Sequence, residues 1–258
     1  MANSPIRSDP IRKRYFDPVE ATARVSDYLF YASALLSLCI PFVDKQTHPV
    51  IYDSFLTLFA LTVIALFAAG LGLRLYLLPR ADDMRRRDFF TSASRVNLTP
   101  ETTVGYYNNA LIKPVERIAA QVFENSHFSK AIALQMVRME RIKIAGYALL
   151  WIIAIFNRST DLGWIAAATQ VVFSEQILSK WLRLEWLTMR FEKTFDDLYR
   201  LFESRPPAAK FNAMTLDSLV MYETAKANAA ITLSSKVFNT RNPQLSAEWN
   251  SVRAKFNF

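Results

Sequence analysis

Between Asp53 and Arg74 the chain carries twenty consecutive residues, Ser54–Leu73, with no charge among them. As an α-helix rising about 1.5 Å per residue, such a run covers roughly 30 Å, the hydrocarbon thickness of a bilayer. A soluble domain rarely uses a helix that is apolar on every side. The run predicts an integral membrane protein, whose function has to be read with lipid as one of its solvents.

Composition limits what kind of membrane protein this is. Of 258 residues, 52% are apolar and 21% are charged. That mixture excludes a transporter embedded in lipid along most of its length. It fits a few spans joined to a substantial water-facing part. The net charge of +8 favours anionic partners such as lipid headgroups, nucleotides or nucleic acid. The competing reading is the lysine and arginine excess that any inner-membrane protein carries on its cytoplasmic side. Cys39 is the one cysteine and lies in an apolar run, so no disulfide framework exists. Arg7, Arg12, Lys13 and Arg14 precede the apolar segment Tyr28–Val43. That segment lacks a small-x-small cleavage site, and Leu38 before Cys39 argues against a lipoprotein signal. It reads as a retained membrane segment.

Four apolar segments stand out: Tyr28–Val43, Ser54–Leu73, Ile144–Phe156, and Leu162–Ser174 with an extension to Ser179 if Glu175 is tolerated. Short polar links at Asp44–Asp53 and Asn157–Asp161 join them into two hairpins. The third and fourth have thirteen clean residues each. Each alone covers about 20 Å, so crossing requires snorkelling of Arg141, Lys143 and Lys180, local thinning, or packing within an oligomer. A soluble buried hairpin is the competing reading. Arg80, Arg85, Arg86 and Arg87 follow the second segment, Arg138, Arg141 and Lys143 precede the third, and Lys180, Arg183 and Arg190 follow the fourth. The positive-inside rule then puts both termini and the middle region in the cytoplasm.

The expected fold is an all-α membrane protein, with about four transmembrane helices in two hairpins and a helical cytoplasmic domain. Its divisions are a cytoplasmic segment 1–27, hairpin one over 28–79, a ligand-sensing region 80–143, hairpin two over 144–179, a stalk helix 180–205 and C-terminal helices over 206–258. Within 80–143, Arg80–Lys113 reads as irregular. Pro114 opens a helix over roughly 115–125, and a second starts near Ser129 after Glu124-Asn125-Ser126. On the stalk, Ile177, Trp181, Leu184, Thr188, Phe191, Phe195, Leu198 and Phe202 recur at alternating steps of four and three. That heptad-like stripe suits helix pairing. Pro206-Pro207 ends the stalk, a helix follows near Thr215–Val237, and Asn242-Pro243 opens a last one bearing Leu245, Trp249, Val252 and Phe256.

No catalytic constellation appears. Gly70 and Gly72 lie inside a span, His48 and His127 have no metal-binding spacing, and Asp82-Asp83 and Asp196-Asp197 read as solvated salt-bridge partners. The chain is not expected to be an enzyme, nor to hold a metal or cofactor. Three features rise above background. Ala65, Ala68, Ala69 and Gly72 permit close helix approach in lipid. Gln170 and Glu175 put polar groups in or near the fourth segment, where a carboxylate normally faces water or a bundle interior; a ring of Glu175 would favour cations. The competing reading places Glu175 at the interface beside Lys180. Finally, Arg85, Arg86, Arg87, Arg95, Tyr106, Tyr107 and Lys113 combine guanidinium groups suited to phosphates with rings suited to base stacking. A basic juxtamembrane anchor on anionic lipid is the alternative.

Arg85–Asn109 followed by Phe173–Trp186 resembles the small multi-span membrane effectors encoded beside nucleotidyltransferases in bacterial anti-phage operons. These include the four-helix effectors of cyclic-oligonucleotide systems and the transmembrane partner of the Hailong-type system. The likeness covers most of residues 20–205 and lies in layout rather than in one motif. It implies a homo-oligomeric pore in the bacterial inner membrane, with a tetramer the leading expectation. Such a pore would depolarise the infected cell under control of an oligonucleotide or cyclic nucleotide made by a neighbouring nucleotidyltransferase. On that reading Arg85, Arg86, Arg87, Arg95, Tyr106, Tyr107 and Lys113 bind the ligand, and Gln170 and Glu175 line the pore. Ile177, Trp181, Leu184, Phe191, Phe195 and Phe202 join subunits. The rival is a non-conducting anchor or scaffold that recruits a cytoplasmic enzyme.

Overall fold

The computed structural model describes residues 8–107, 109–156, 168–169, 171 and 174–258. These are helical nearly throughout. We number the helices α1 (Asp17–Cys39), α2 (Pro49–Gly72), α3 (Leu78–Ser94), α4 (Pro114–Phe156), α5 (Lys180–Ser204), α6 (Ala208–Ala229) and α7 (Ser235–Phe256). Among the described residues there is no strand, only an antiparallel bridge between Ser8 and Val104. The chain folds as two units. The first takes the chain up to Asp17, Leu78–Val137 and Arg183–Phe258; the second takes Pro18–Leu77 and Arg138–Leu182.

Two helical runs are long and apolar enough to cross a membrane. Arg12–Phe42 has a mean hydropathy of 1.4, and Pro49–Ser94 one of 2.3. None of the most apolar window of the second run is buried by the chain itself. Leu56, Leu58, Leu61, Val63, Ile64, Phe67 and Leu71 all stand exposed around α2. The third expected span is the end of α4, where Leu149, Ile152, Ile153, Ile155 and Phe156 are exposed. The second link and most of the fourth span lie outside the described residues.

Prolines inside these runs are accommodated by widening the helix. A single π-helical turn occupies Arg12–Phe16, and another Leu73–Leu77. Each ends two residues before a proline, Pro18 and Pro79. A proline ring meets the carbonyl four residues back and offers no N–H to it. A widened turn just before the proline absorbs that conflict without stopping the helix. A third such turn, Glu175–Ser179, leads into α5 without a proline.

Several expected breaks are therefore absent. Arg80–Ser94 is not irregular but continues the helix, with Ala81, Asp88, Phe89 and Ala93 on its buried face. Helix α4 runs 43 residues through Glu124-Asn125-Ser126. Ser126 donates to the Phe123 carbonyl at 2.9 Å, and the Ser129 and Tyr222 hydroxyls meet at 2.8 Å, so these buried polar groups are satisfied without a turn. The break instead falls after α6, where Ala230 adopts φ 48° and the Ser234 hydroxyl caps Val237 N–H. Pro243 sits inside α7 rather than opening it.

The first unit has a dense apolar core. Phe123 of α4 is fully buried and touches Phe195, Tyr199, Phe202, Trp249, Phe256 and Phe258 at centroid distances of 4.9 to 6.3 Å. Truncating such a hub removes both buried area and ring contacts. Phe123→Ala should cost about 3–5 kcal/mol. Denaturant unfolding of the full chain in detergent, followed by tryptophan fluorescence, measures it; a loss below about 1 kcal/mol would show that the rings do not form the core.

Candidate functional site

The basic segment is built around one ordered arginine. Arg85 on α3 is 15% exposed and its Nη2 donates to Asp9 Oδ2 at 2.8 Å. Its guanidinium lies over the Tyr106 ring at 4.7 Å and the Phe16 ring at 5.5 Å. Asp88, one turn along the helix, is 2% exposed and accepts from Thr103 N at 3.0 Å and Thr103 Oγ1 at 2.7 Å. Beside it Ser8 and Val104 exchange both backbone hydrogen bonds, and Arg14 pairs with Glu101. Gly105 then takes φ 68°, a conformation natural to glycine, and delivers Tyr106 and Tyr107. Those rings meet edge-on at 4.8 Å, and Tyr107 meets Phe89 at 5.8 Å. Burial holds the Tyr107 phenol well above its ordinary pKa, so it stays protonated.

This geometry divides the expected ligand residues. Arg85 and Tyr107 tie the segment down: Arg85 pairs with Asp9 and stacks on two rings, while its Nη1, 4.0 Å from Asp88 Oδ2, keeps no hydrogen-bond partner. Both also serve a structural role within this segment. One face of Tyr106 is already covered by Arg85. Arg86 and Arg87 are about half exposed and share Asp83 at 2.6 and 3.0 Å. Lys113 is 77% exposed beside Glu116 at 3.0 Å. Surface pairs of this kind are weak and exchange readily for a stronger anion. Arg95 is exposed and follows the end of α3 with φ 59°.

A second arginine was missed by sequence reading. Arg117 lies in the first turn of α4, and its Nε and Nη1 are buried without a hydrogen-bond partner. Burial and the nearby charge of Arg95 push its pKa down. No spacing motif marks Arg117, because its neighbour Arg95 lies 22 residues earlier, just past the end of α3.

The expected pore and subunit contacts fare differently. Gln170 lies outside the described residues, and Glu175 opens the wide turn Glu175–Ser179. The α5 stripe is filled by the chain itself. Leu184, Phe191 and Phe202 are buried in the first unit's core, with Phe195 packed against it. Helices α4, α6 and α7 occupy the face that was expected to join subunits. In the second unit Ile177 is buried and Trp181 half-buried.

The second unit also holds an unforeseen polar cluster. Asp27 and Tyr31 of α1, Glu140, Lys143 and Tyr147 of α4, and Gln176 and Lys180 surround a cavity of about 30 Å³. Lys143 donates to Glu140 at 2.9 Å, and Lys180 lies 3.7 Å from Asp27. The volume suits a single water. Asp27, Lys143 and Lys180 are the charged residues flanking the first, third and fourth apolar segments, so three segment ends meet here.

Among the described residues no group of three or more His, Cys, Asp or Glu side chains could hold a metal ion. His127 is a core residue instead. Its Nε2 faces the Leu245 carbonyl at 3.3 Å, its Nδ1 has no partner, and burial lowers its pKa.

If Arg85 is the clamp, Arg85→Gln should destabilise the first unit by about 1–3 kcal/mol, because Asp9 and Asp88 lose their cation. Limited proteolysis should then cut within 95–113 several-fold faster, while membrane insertion is unchanged. Equal cleavage rates would remove the clamp from the account. Comparison of the chain with protein-family models, with curated proteins and with solved structures finds no match.

Proposed function

We propose that this chain is a pore-forming effector of the bacterial inner membrane, gated by an anionic ligand of the nucleotide or oligonucleotide class. In this reading it works as a homo-oligomer, has four spans in two hairpins and keeps both termini in the cytoplasm. The observation that carries it is the continuous helix Pro49–Ser94. From Ser54 to Leu73 it carries no charge and no fully buried side chain, with one half-buried stripe at Phe55, Phe59, Thr62, Leu66 and Ala69; its second half carries Arg86 and Arg87 in the first unit. A ligand drawn to those arginines would act on the same helix that lies in lipid. The wide turn Leu73–Leu77 falls between the two halves, where a helix bends at low cost.

The cluster of Asp27, Lys143 and Lys180 supports the topology. Charged flanks of three spans that share one pocket fit three ends on one side of the membrane. Gating then requires only that ligand-bound and free forms differ in how the spans pack, each form binding the ligand with its own affinity.

A second reading is a non-conducting anchor that recruits a cytoplasmic partner. One observation favours it: the α5 face expected to build the ring of subunits is filled by the chain's own core. An oligomer would have to use another surface, and the exposed small-residue face of α2 at Ala65, Ala68 and Gly72 is available for it.

Ion flux separates the two. The full chain in liposomes should dissipate an imposed membrane potential, with the leak changed by a short DNA oligonucleotide or a cyclic dinucleotide. Reversing charge in Arg86→Glu with Arg87→Glu should abolish that control at least tenfold while insertion persists. Glu175→Ala should alter conductance or selectivity. Liposomes that hold their potential with and without these ligands would leave the anchor reading.

A further inference from the structure

We infer that Arg117 and Arg95 form a phosphate-binding subsite at the junction where α3 ends and α4 begins. The inference deepens the ligand-gated reading and rests on its anionic ligand, not on a pore. It starts from an imbalance. The Arg117 Nε and Nη1 donors are both shielded from water and unpaired. A guanidinium is always charged and its planar fork matches two oxygens of one oxyanion. Buried donors without acceptors are costly, and native proteins seldom keep them without a use.

The surroundings say which acceptor is missing. Gln121, one turn further along α4, donates from Nε2 to Ser92 Oγ at 2.9 Å and so fixes the register of α4 against α3. Three residues beyond Ser92 lies Arg95, and four before Gln121 lies Arg117. The register thus sets a second cation beside the first. Arg95 is held there by its own turn: Thr91 Oγ1 accepts from Leu98 N at 3.0 Å, and Ser94 Oγ from Val96 N at 3.3 Å. No carboxylate answers the pair among the described residues. Glu116, the nearest in sequence, is bound to Lys113 at 3.0 Å. Arg95 is exposed, so the subsite opens to solvent, while Arg117 supplies the dry, directional half.

Two guanidinium groups, one half-buried with two shielded donors and one exposed, fit a compact dianion or a phosphodiester oxygen pair better than a carboxylate chain. The positive end of the α4 backbone dipole adds to the same sign. A free phosphate, a nucleotide phosphate and a phospholipid headgroup share this chemistry, and their sources are separable by experiment.

The test uses the full chain in nanodiscs of phosphatidylcholine, with thermal unfolding and calorimetric titration as readouts. The probes are inorganic phosphate and a dinucleotide with and without a 5′-phosphate; a further arm replaces part of the lipid with phosphatidylglycerol. Phosphate and the phosphorylated dinucleotide should raise the melting temperature, the unphosphorylated one less. Arg117→Met should weaken binding roughly tenfold or more. Without ligand it should melt no lower than the parent, because the substitution removes unpaired buried donors. Arg95→Gln, at an exposed position, should weaken binding several-fold with no change in the unliganded melting temperature. Stabilisation seen only with phosphatidylglycerol, and lost in Arg117→Met, assigns the same subsite to a headgroup. The proposal is overturned if no arm stabilises the parent chain, or if Arg117→Met and Arg95→Gln bind phosphate as the parent does. It is also overturned if Arg117→Met melts equally lower with and without phosphate. Should Arg117→Met fail to fold, Arg95→Gln decides alone. Phosphate protection in a chain that passes no ions keeps this subsite and removes the pore; ion flux without phosphate protection does the reverse.

Discussion

The apolar, largely exposed surface of α2 is the constraint on which the rest depends. A helix satisfies its backbone hydrogen bonds internally, which is what makes it admissible in hydrocarbon. The side chains decide whether water would tolerate it, and from Leu56 to Leu71 they are almost all apolar, most of them exposed and a stripe at Phe59, Thr62, Leu66 and Ala69 half-buried. Among the described residues none in its most apolar window is fully buried. The chain folds a core elsewhere, centred on Phe123, and leaves this surface suited to an apolar solvent. Two environments in one chain explain why charged and apolar residues are both abundant.

Continuity of helices across these environments follows from how prolines are handled. Pro18 and Pro79 would ordinarily stop a helix or kink it sharply. Here each is preceded by one widened turn, and the helix goes on. The price is local: a turn with one loosened hydrogen-bond register near the point where the chain passes from one unit to the other. In the proposed function these turns are where a change at the arginines would reach the span.

The elements most legible in the sequence were those set by local pattern. Ser54–Leu73 is marked by the absence of charge, and Lys180–Ser204 by a stripe that ends at Pro206-Pro207. What pattern could not supply was the partner of each face. The α5 stripe announces burial of Leu184, Phe191 and Phe202, but period alone does not distinguish a neighbouring helix of the same chain from another subunit. The helix at Arg80–Ser94 was hidden because Gly105, Pro100 and the Asn and Thr residues further along made all of Arg80–Lys113 read as irregular, and the wide turn that carries the helix past Pro79 has no sequence signature. Arg85 and Arg86 are adjacent in sequence but about 100° apart on the helix. One is clamped by Asp9 and Tyr106, the other faces water. Arg117 was invisible for the same reason: in the proposed subsite its partner is Arg95, 22 residues earlier and just past the end of α3.

Sidedness of the chain in a membrane tests the account most directly. With the native Cys39 replaced by serine, single cysteines are introduced by Gln46→Cys in the first link and Lys113→Cys, at a 77% exposed side chain, in the basic unit. A membrane-impermeant maleimide applied to intact cells should label the first and not the second, and permeabilised cells should label both. Labelling of both in intact cells, of neither until the cells are opened, or of a chain recovered without detergent, would contradict a lipid-embedded α2 with its arginines in the cytoplasm.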